Sequence, residues 1–163
     1  MTTVSREPHL KMLLHPAHFL SFGFGSGFSP IAPGTAGTAI TIPIFWLMSS
    51  LAPLHYLAIV FVMFLIGVWV CGITTRALGV HDHGAIVWDE VVGYLLTMVM
   101  VPAELGWMIV GFFVFRLFDI WKPWPTRALD LNVKGGFGIM IDDVMAAVYS
   151  SMTMQLCLYI WQN

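Results

Sequence analysis

The charged residues of this chain are few, and almost all of them stand at the ends of long apolar segments. Of its 163 residues, 58% are hydrophobic and only 10% carry a charge, and the mean hydropathy is +0.83. A typical soluble domain has about 25% charged residues. Charge is expensive in the hydrocarbon of a membrane, so charges beside apolar segments indicate function. The composition therefore predicts an integral membrane protein whose activity depends on the charge clusters.

Apolar segments of this chain predict about five transmembrane helices. They cover residues 38–51, 55–73, 86–101, 105–120 and 139–161. The preceding stretch, residues 12–37, is rich in glycine and proline, which favours an interfacial or re-entrant segment over a simple spanning helix. We therefore expect an all-α fold in which residues 1–163 form a single membrane-embedded domain.

The basic residues are distributed asymmetrically about these predicted spans. All seven fall on the side that carries the N-terminus and the two polar loops, 74–85 and 121–138. They are Arg6, Lys11, Arg76, Arg116, Lys122, Arg127 and Lys134. Because cytoplasmic loops carry the excess of Lys and Arg, we expect this side, with the N-terminus, to face the cytoplasm. The sequence has no basic patch of the kind that nucleic-acid binding requires.

Two pairs of adjacent acids stand at the starts of the third and fifth predicted spans. Asp89 and Glu90 follow three apolar residues, and Asp142 and Asp143 follow three more after a glycine-rich approach. The helix dipole explains one acid in a first turn, but two exceed what a cap requires. Successive helix residues point about 100° apart, so Asp89 and Glu90 cannot face the same point. We expect one of them to bind a ligand while the other caps the helix.

Arg116, Asp119 and Lys122 are spaced three residues apart at the end of the fourth predicted span. This spacing places them roughly along one face of a helix. Arg116 follows an apolar run, so its charge needs a partner, which is either a carboxylate such as Asp119 or a phosphate.

The segment Pro33-Gly34-Thr35-Ala36-Gly37-Thr38 leads into the first predicted span. Backbone N–H groups at a helix start, together with the hydroxyls of Thr35 and Thr38, suit an anion. Small residues equally serve close helix packing in membranes, and both interpretations stay open. In the loop before the third span, His81 and His83 suit either a transition metal or an ordinary solvated loop, and we favour the loop.

The charge clusters together indicate metal-assisted phosphoryl chemistry. Carboxylates without a Cys/His cluster suit Mg²⁺, which often binds substrate phosphate. Arg and Lys then hold the remaining phosphate charge.

Three rival functions fit the sequence less well. A cation or proton transporter would need polar residues that continue across the membrane, and few are present. A membrane-embedded phosphatidyl transferase would show an Asp-rich pattern with a following Ala-Arg, which this chain lacks. A noncatalytic assembly protein would have no need of a cluster that suits phosphate. The charge clusters therefore favour a phosphatase over all three.

Four motifs make the sequence resemble the phosphatidylglycerophosphatase A family. They are Pro33-Gly34-Thr35-x-Gly37-Thr38, Asp89-Glu90-x-x-Gly93, Arg116-x-x-Asp119-x-x-Lys122-Pro123-x-Pro125, and Gly135-Gly136-x-Gly138-Ile139-Met140-x-Asp142-Asp143. The resemblance implies a multi-pass enzyme of the bacterial inner membrane, with its active site at the cytoplasmic face. Such an enzyme hydrolyses phosphatidylglycerophosphate, a phospholipid, to phosphatidylglycerol and inorganic phosphate with Mg²⁺, in glycerophospholipid biosynthesis.

Our hypothesis gives each of these charged residues a role in catalysis or binding. Asp89 or Glu90, together with Asp142 or Asp143, is expected to hold Mg²⁺ across the third and fifth spans. Asp119 is either a further ligand or the residue that orients Arg116. The expected phosphate-binding residues are Arg116, Lys122, Thr35 and Thr38. The nucleophile is open between water, with a carboxylate as the base, and an aspartate that forms a phosphorylated intermediate.

Overall fold

The structure is a computed structural model that describes residues 7–80, 83–127 and 132–163. Within these ranges every regular element is a helix. Two short 3₁₀ segments, Leu10–Leu14 and Gly23–Phe28, lie on either side of α1 (Pro16–Ser21). The longer helices are α2 (Pro33–Met48), α3 (Pro53–Leu78), α4 (Trp88–Thr97), α5 (Leu105–Trp121) and α6 (Gly135–Gln162). The all-α prediction is therefore confirmed for this part of the chain.

Proline and glycine set several of the helix boundaries. α2 and α3 each begin at a proline, where the missing N–H leaves no intrahelical hydrogen bond unmade. α3 ends at Leu78, and the next residue, Gly79, has a φ of 74° and donates its N–H to the Thr75 carbonyl over 3.0 Å. This left-handed conformation is one that glycine adopts without a Cβ penalty. The two ends give α3 its length of 26 residues.

α4 is the central helix of the bundle, although it has only 10 residues. It packs against α2, α3, α5 and α6, and four of its apolar side chains are completely buried: Val91, Val92, Tyr94 and Leu95. Gly93 allows α5 to approach, because a Cβ there would lie 2.5 Å from Cζ of Phe115. The charged first turn of α4 is therefore held inside the protein.

α6 crosses α3 at a contact between small residues. A Cβ on Gly67 would lie 2.5 Å from Sδ of Met140, and one on Gly136 would overlap the carbonyl oxygen of Val68. Close backbone approach of this kind is typical of helix pairs in membranes. The contact fixes where the first turns of α6 lie along the axis of α3.

Two of the described helices are long and apolar enough to cross a membrane, α3 and α6, with 26 and 28 residues. α2, α4 and α5 have 16, 10 and 17 residues. The third predicted span, residues 86–101, contains the short α4 followed by a turn at Met98–Val101, where Met100 has a φ of 59°. The structure thus supports two membrane-crossing helices, and the arrangement with five stays a prediction.

Candidate active site

Three aspartates from two helices converge in the interior of the bundle. Asp89 lies in the first turn of α4, and Asp142 and Asp143 lie in α6. One carboxylate oxygen from each lies within 4.8 Å of the others, and the three residues are 8%, 5% and 4% exposed. We refer to these three residues as the acid trio. Like charges this close repel one another unless a cation or protons intervene.

The position of Asp142 and Asp143 within α6 differs from the sequence-based expectation. The sequence predicts that they open a helix beginning near residue 139, but α6 begins at Gly135, so they lie about two turns inside it. The helix N-terminus therefore does not account for these acids. The glycines that begin the helix also make its close contact with α3, which brings the next turns to the start of α4.

The trio lies beside the middle of α3, far from either end of that helix. Trp88, the residue before Asp89, donates its indole N–H to the Met63 carbonyl over 3.1 Å. Met63 is near the middle of α3, about 15 Å along the helix from Pro53. The acids therefore lie about halfway along the bundle instead of at its rim.

The donor atoms of the trio fit a hard divalent cation. Asp89 Oδ1 and Asp143 Oδ2 are buried and have no hydrogen-bond partner within the described ranges. Asp142 accepts from Lys122 Nζ at 2.7 Å and from the Asp143 backbone N–H at 3.0 Å. Buried carboxylate oxygens normally have partners, and an all-carboxylate donor set suits Mg²⁺.

A second group of charges lies beside the trio, and we refer to it as the arginine cluster: Glu90, Arg116 and Asp119. Arg116 Nη1 lies 2.6 Å from Asp119 Oδ2 and 3.5 Å from Glu90 Oε1. The side chains are only 12–14% exposed. Glu90 Oε2 and Arg116 Nε have no hydrogen-bond partner among the residues described. Arg116 thus has the carboxylate partners that its apolar surroundings require, and retains a donor for a further anion.

Asp89 and Glu90 have different partners on the other helices, in agreement with the 100° between successive helix residues, although their carboxyl groups also lie within hydrogen-bonding distance of each other. Asp89 belongs to the trio, whereas Glu90 contacts Arg116. The sequence allowed either residue to pair with Asp142 or Asp143, and the geometry brings Asp89 to them. The Glu90 carboxylate also accepts a hydrogen bond from its own backbone N–H in the first turn of α4.

The start of α2 reaches the arginine cluster through its backbone. A Cβ on Gly34 would overlap the Glu90 carboxylate and lie 3.0 Å from Arg116 Nη1. Thr38 donates its hydroxyl to the Gly34 carbonyl at 2.9 Å and is buried, and Thr35 is half-buried. The geometry therefore brings Gly34, which is not among the predicted site residues, into contact with the cluster. The signal for it was a glycine directly after the proline that begins a helix.

Lys122, at the end of α5, contacts the acid trio. It follows the last residue of α5 with a φ of 45°, a left-handed conformation uncommon for a non-glycine residue, and its ammonium contacts Asp142. α5 therefore carries Arg116 and Asp119 to one group and directs Lys122 to the other. Of the two histidines of the 74–85 loop, His81 lies outside the described residues. His83 Nδ1 accepts from the Ala85 N–H at 3.1 Å, a contact within the loop.

Comparisons with known proteins agree with the resemblance seen in the motifs. The family described as Phosphatidylglycerophosphatase A matches residues 19–158, which include every member of both charge groups. The chain belongs to the phosphatidylglycerophosphatase A family. The Phosphatidylglycerophosphatase A of Escherichia coli (strain K12) is 48% identical over 146 residues, covering 89% of this chain and 84% of that protein.

Two further relatives extend the comparison. The protein of the same name from Haemophilus influenzae is 47% identical over 140 residues, covering 85% of this chain and 86% of that protein. A protein of Bacteroides thetaiotaomicron described as "Putative phosphatidylinositol-3-phosphatase" is 42% identical over 136 residues, covering 78% and 84%. No solved structure matches this chain.

Proposed function

We propose that this protein hydrolyses phosphatidylglycerophosphate to phosphatidylglycerol and inorganic phosphate, with Mg²⁺ as its cofactor. The observation that carries the proposal is the convergence of three buried aspartates, with unpartnered oxygens on Asp89 and Asp143 within the described ranges, beside a buried arginine. Membership of the phosphatidylglycerophosphatase A family supports the substrate.

The charge balance of the site supports a bound cation. The two groups together hold five carboxylates, from Asp89, Glu90, Asp119, Asp142 and Asp143, and among the described residues Arg116 and Lys122 oppose them. A phosphate monoester would add further negative charge. Asp89, Asp142 and Asp143 would hold Mg²⁺, which when bound neutralises charge on the phosphoryl oxygens and makes water a better nucleophile.

The cationic side chains are proposed to bind the phosphate. Arg116 offers a planar set of N–H donors that match phosphate oxygens, and Asp119 at 2.6 Å holds the guanidinium in place. Lys122 would exchange its contact with Asp142 for a contact with phosphate when a cation occupies the trio. Glu90 lies 3.5 Å from the same nitrogen of Arg116 and would help to hold the guanidinium in place.

The overall reaction replaces one P–O bond with another. An oxygen nucleophile attacks phosphorus, the bond between phosphorus and the terminal glycerol oxygen breaks, and that oxygen takes up a proton. With water as nucleophile, a carboxylate of the site accepts the proton that water loses. With an aspartate as nucleophile, a phosphoryl-aspartate forms first and water then cleaves it. Because both routes give the same products, trapping a phosphoryl-enzyme is the experiment that distinguishes them.

We further propose the five-span topology, with an N-terminus and active site facing the cytoplasm of a bacterial inner membrane. The exposed apolar residues on the outer faces of the helices support contact with lipid: examples are Phe61, Trp69, Phe113 and Leu156. Reporter fusions to Asn163 test the topology. An active alkaline phosphatase and a non-fluorescent GFP at this position are expected, and the reverse pattern would contradict the five-span arrangement.

The activity is tested with purified protein in detergent. Phosphatidylglycerophosphate is supplied with Mg²⁺ or with a chelator, and release of inorganic phosphate is followed. We expect release with Mg²⁺, none with chelator, and recovery when Mg²⁺ is restored. If folded protein releases no phosphate under any of these conditions, the proposed activity is wrong. If the chelator does not reduce phosphate release, the phosphatase activity is supported but the proposed requirement for Mg²⁺ is wrong.

A further inference from the structure

A groove of about 400 Å³ lies between α3, α4 and α6. Its lining side chains are all apolar: Leu57, Val60, Phe61, Phe64, Leu96 and Val144. The four from α3 follow the spacing i, i+3, i+4 and i+7, so they form one stripe along the helix. From Leu57 to Phe64 this stripe is about 10 Å long. The groove is therefore elongated parallel to a helix that is long enough to cross a membrane.

One end of the groove meets the acid trio. Val144 directly follows Asp143 in α6, and the ring of Phe64 lies 6.2 Å from that of Phe137 in the first turn of α6. The indole of Trp88, which precedes Asp89, is bonded to the carbonyl of Met63. α3 and α6 run antiparallel, and Gly67 lies beside Met140, so Phe64 and Asp143, each three residues further in the same direction, lie at about the same level along the two helices.

The other end lies deeper, towards the start of α3. The hydroxyl of Tyr56, which precedes Leu57, donates to the Leu95 carbonyl at 2.7 Å, which places Leu57 and Leu96 at one height. Leu96 is seven residues after Asp89 and so lies on the same face of α4, two turns further from the charged end. The groove thus runs from the carboxylates into the apolar part of the bundle.

We infer that this groove holds one acyl chain of the phospholipid substrate while its phosphate lies at the charged groups. The inference rests on the proposed function. A molecule that occupies both the groove and the charged groups has an apolar, elongated part. At one end this part continues into a group that a carboxylate-bound cation and Arg116 can bind. A phospholipid with a terminal phosphate meets these conditions, whereas a soluble phosphate ester meets only the last. Lipids that merely surround the protein have no reason to prefer this face.

Kinetics with two substrates that differ only in acyl length test the inference. Leu57→Trp and Leu96→Phe fill the lower half of the groove without changing a charged residue. With long-chain phosphatidylglycerophosphate we expect KM to rise about tenfold. This is the effect expected when roughly two methylene groups of the acyl chain can no longer be buried in the groove. With the dihexanoyl substrate, whose chains do not reach Leu57, we expect less than a twofold change. Unchanged turnover of the short substrate also shows that the variants are folded.

Ile59→Trp is the matched control, because Ile59 is exposed, lies at nearly the same level of α3 as Val60, and points about 150° away from the middle of the groove stripe. It should leave both substrates unaffected. The inference is overturned if the groove variants behave like Ile59→Trp, or if they slow both substrates equally. In either case wild-type activity would leave the proposed function intact.

Photocrosslinking gives a readout that does not depend on turnover. Phosphatidylglycerophosphate with a diazirine in the middle of one acyl chain is irradiated with the protein and Ca²⁺ in place of Mg²⁺, and labelled residues are mapped by mass spectrometry. Labelling should concentrate on Phe61 and Phe64 and decrease in Leu96→Phe. Labelling spread evenly over Trp46, Trp69 and Phe113, or a protein–protein crosslink at the groove, would overturn the inference. If the groove of wild-type protein is labelled but the protein hydrolyses no substrate, the proposed function is wrong and acyl-chain binding in the groove is still supported.

Discussion

The acid trio and the arginine cluster are neighbouring groups of buried charge that differ in how the charge is balanced. In the arginine cluster, Arg116 contacts both carboxylates, at 2.6 and 3.5 Å. In the trio, Lys122 contacts Asp142, while oxygens of Asp89 and Asp143 have no hydrogen-bond partner within the described ranges. The charges of the arginine cluster largely balance one another, whereas those of the trio would be balanced by a bound cation. The difference supports the proposal that the trio binds metal and the arginine cluster binds the phosphate.

α4 and α5 each contribute residues to both groups. Asp89 and Glu90 are neighbours in α4, yet each joins a different group because of the helical rotation between them. α5 also serves both, through Arg116 and Asp119 on one side and Lys122 on the other. A shift of α4 or α5 would therefore move the proposed metal ligands and the proposed phosphate ligands together.

Neutralising one member of the trio should have the largest effect. We expect Asp143→Asn to lower kcat by about 1,000-fold or more, because a metal ligand or catalytic carboxylate is lost. In the absence of Mg²⁺ the same change should raise the melting temperature, since it removes repulsion among three buried carboxylates. Phosphate release and thermal unfolding in detergent measure the two effects.

The control for this prediction is Glu104→Gln, an exposed acid at the start of α5 that is remote from both groups. It should change neither quantity. Near-normal activity in folded Asp143→Asn would show that the trio is not the metal site. A lower melting temperature without Mg²⁺ would show that the trio is stabilised by protons or internal contacts in place of a cation.

Removing the cation of the arginine cluster should have the next largest effect, and the opposite effect on stability. Arg116→Ala leaves the carboxylates of Glu90 and Asp119 buried without a partner, and breaking a buried pair in this way costs about 3–5 kcal/mol. We expect kcat/KM to fall about 100-fold and the melting temperature to fall with or without Mg²⁺. Arg116→Lys should restore much of the stability but little of the activity, because an ammonium does not reproduce the planar donor set. Equal recovery of both would contradict a phosphate-binding role.

The contact between α2 and the arginine cluster is tested by adding one methyl group. Gly34→Ala places a Cβ against the Glu90 carboxylate and 3.0 Å from Arg116 Nη1, so the guanidinium must move. We expect a loss of about tenfold in kcat/KM, since small displacements of a binding group are costly. Gly106→Ala in α5 is the matched control, because nothing lies within 4 Å of the added Cβ. Normal activity in Gly34→Ala would show that the cluster adapts without loss.

The sequence predicted the helical class and all members of the two groups, but not how they divide. Adjacent acids at a span start signalled function, whereas only the packed helices showed that Asp89 joins Asp142 and Asp143 while Glu90 joins Arg116. Hydropathy also overestimated the length of the helix in the third span. Residues 98–101 are apolar, as in a spanning helix, but they form a turn in which Met100 has a positive φ. The motif that contains Gly34 indicates only an anion or packing role, since contact with Glu90 depends on the position of α2 against α4.

Removing Lys122, the cation that contacts the trio, should have the smallest effect on activity. Lys122→Asn removes the ammonium but keeps a residue that tolerates the left-handed conformation of this position, so the end of α5 is preserved. The Lys122 side chain is 26% exposed, more than Arg116, and its attraction for phosphate is therefore weakened by solvent. We expect KM to rise about fivefold at low salt and the difference from wild type to shrink at high salt. Lys134→Gln, an exposed cation at the start of α6, is the control and should show no change at either salt concentration. A kcat loss as large as that of Asp143→Asn would instead place Lys122 in the chemical step, as a proton donor to the leaving oxygen.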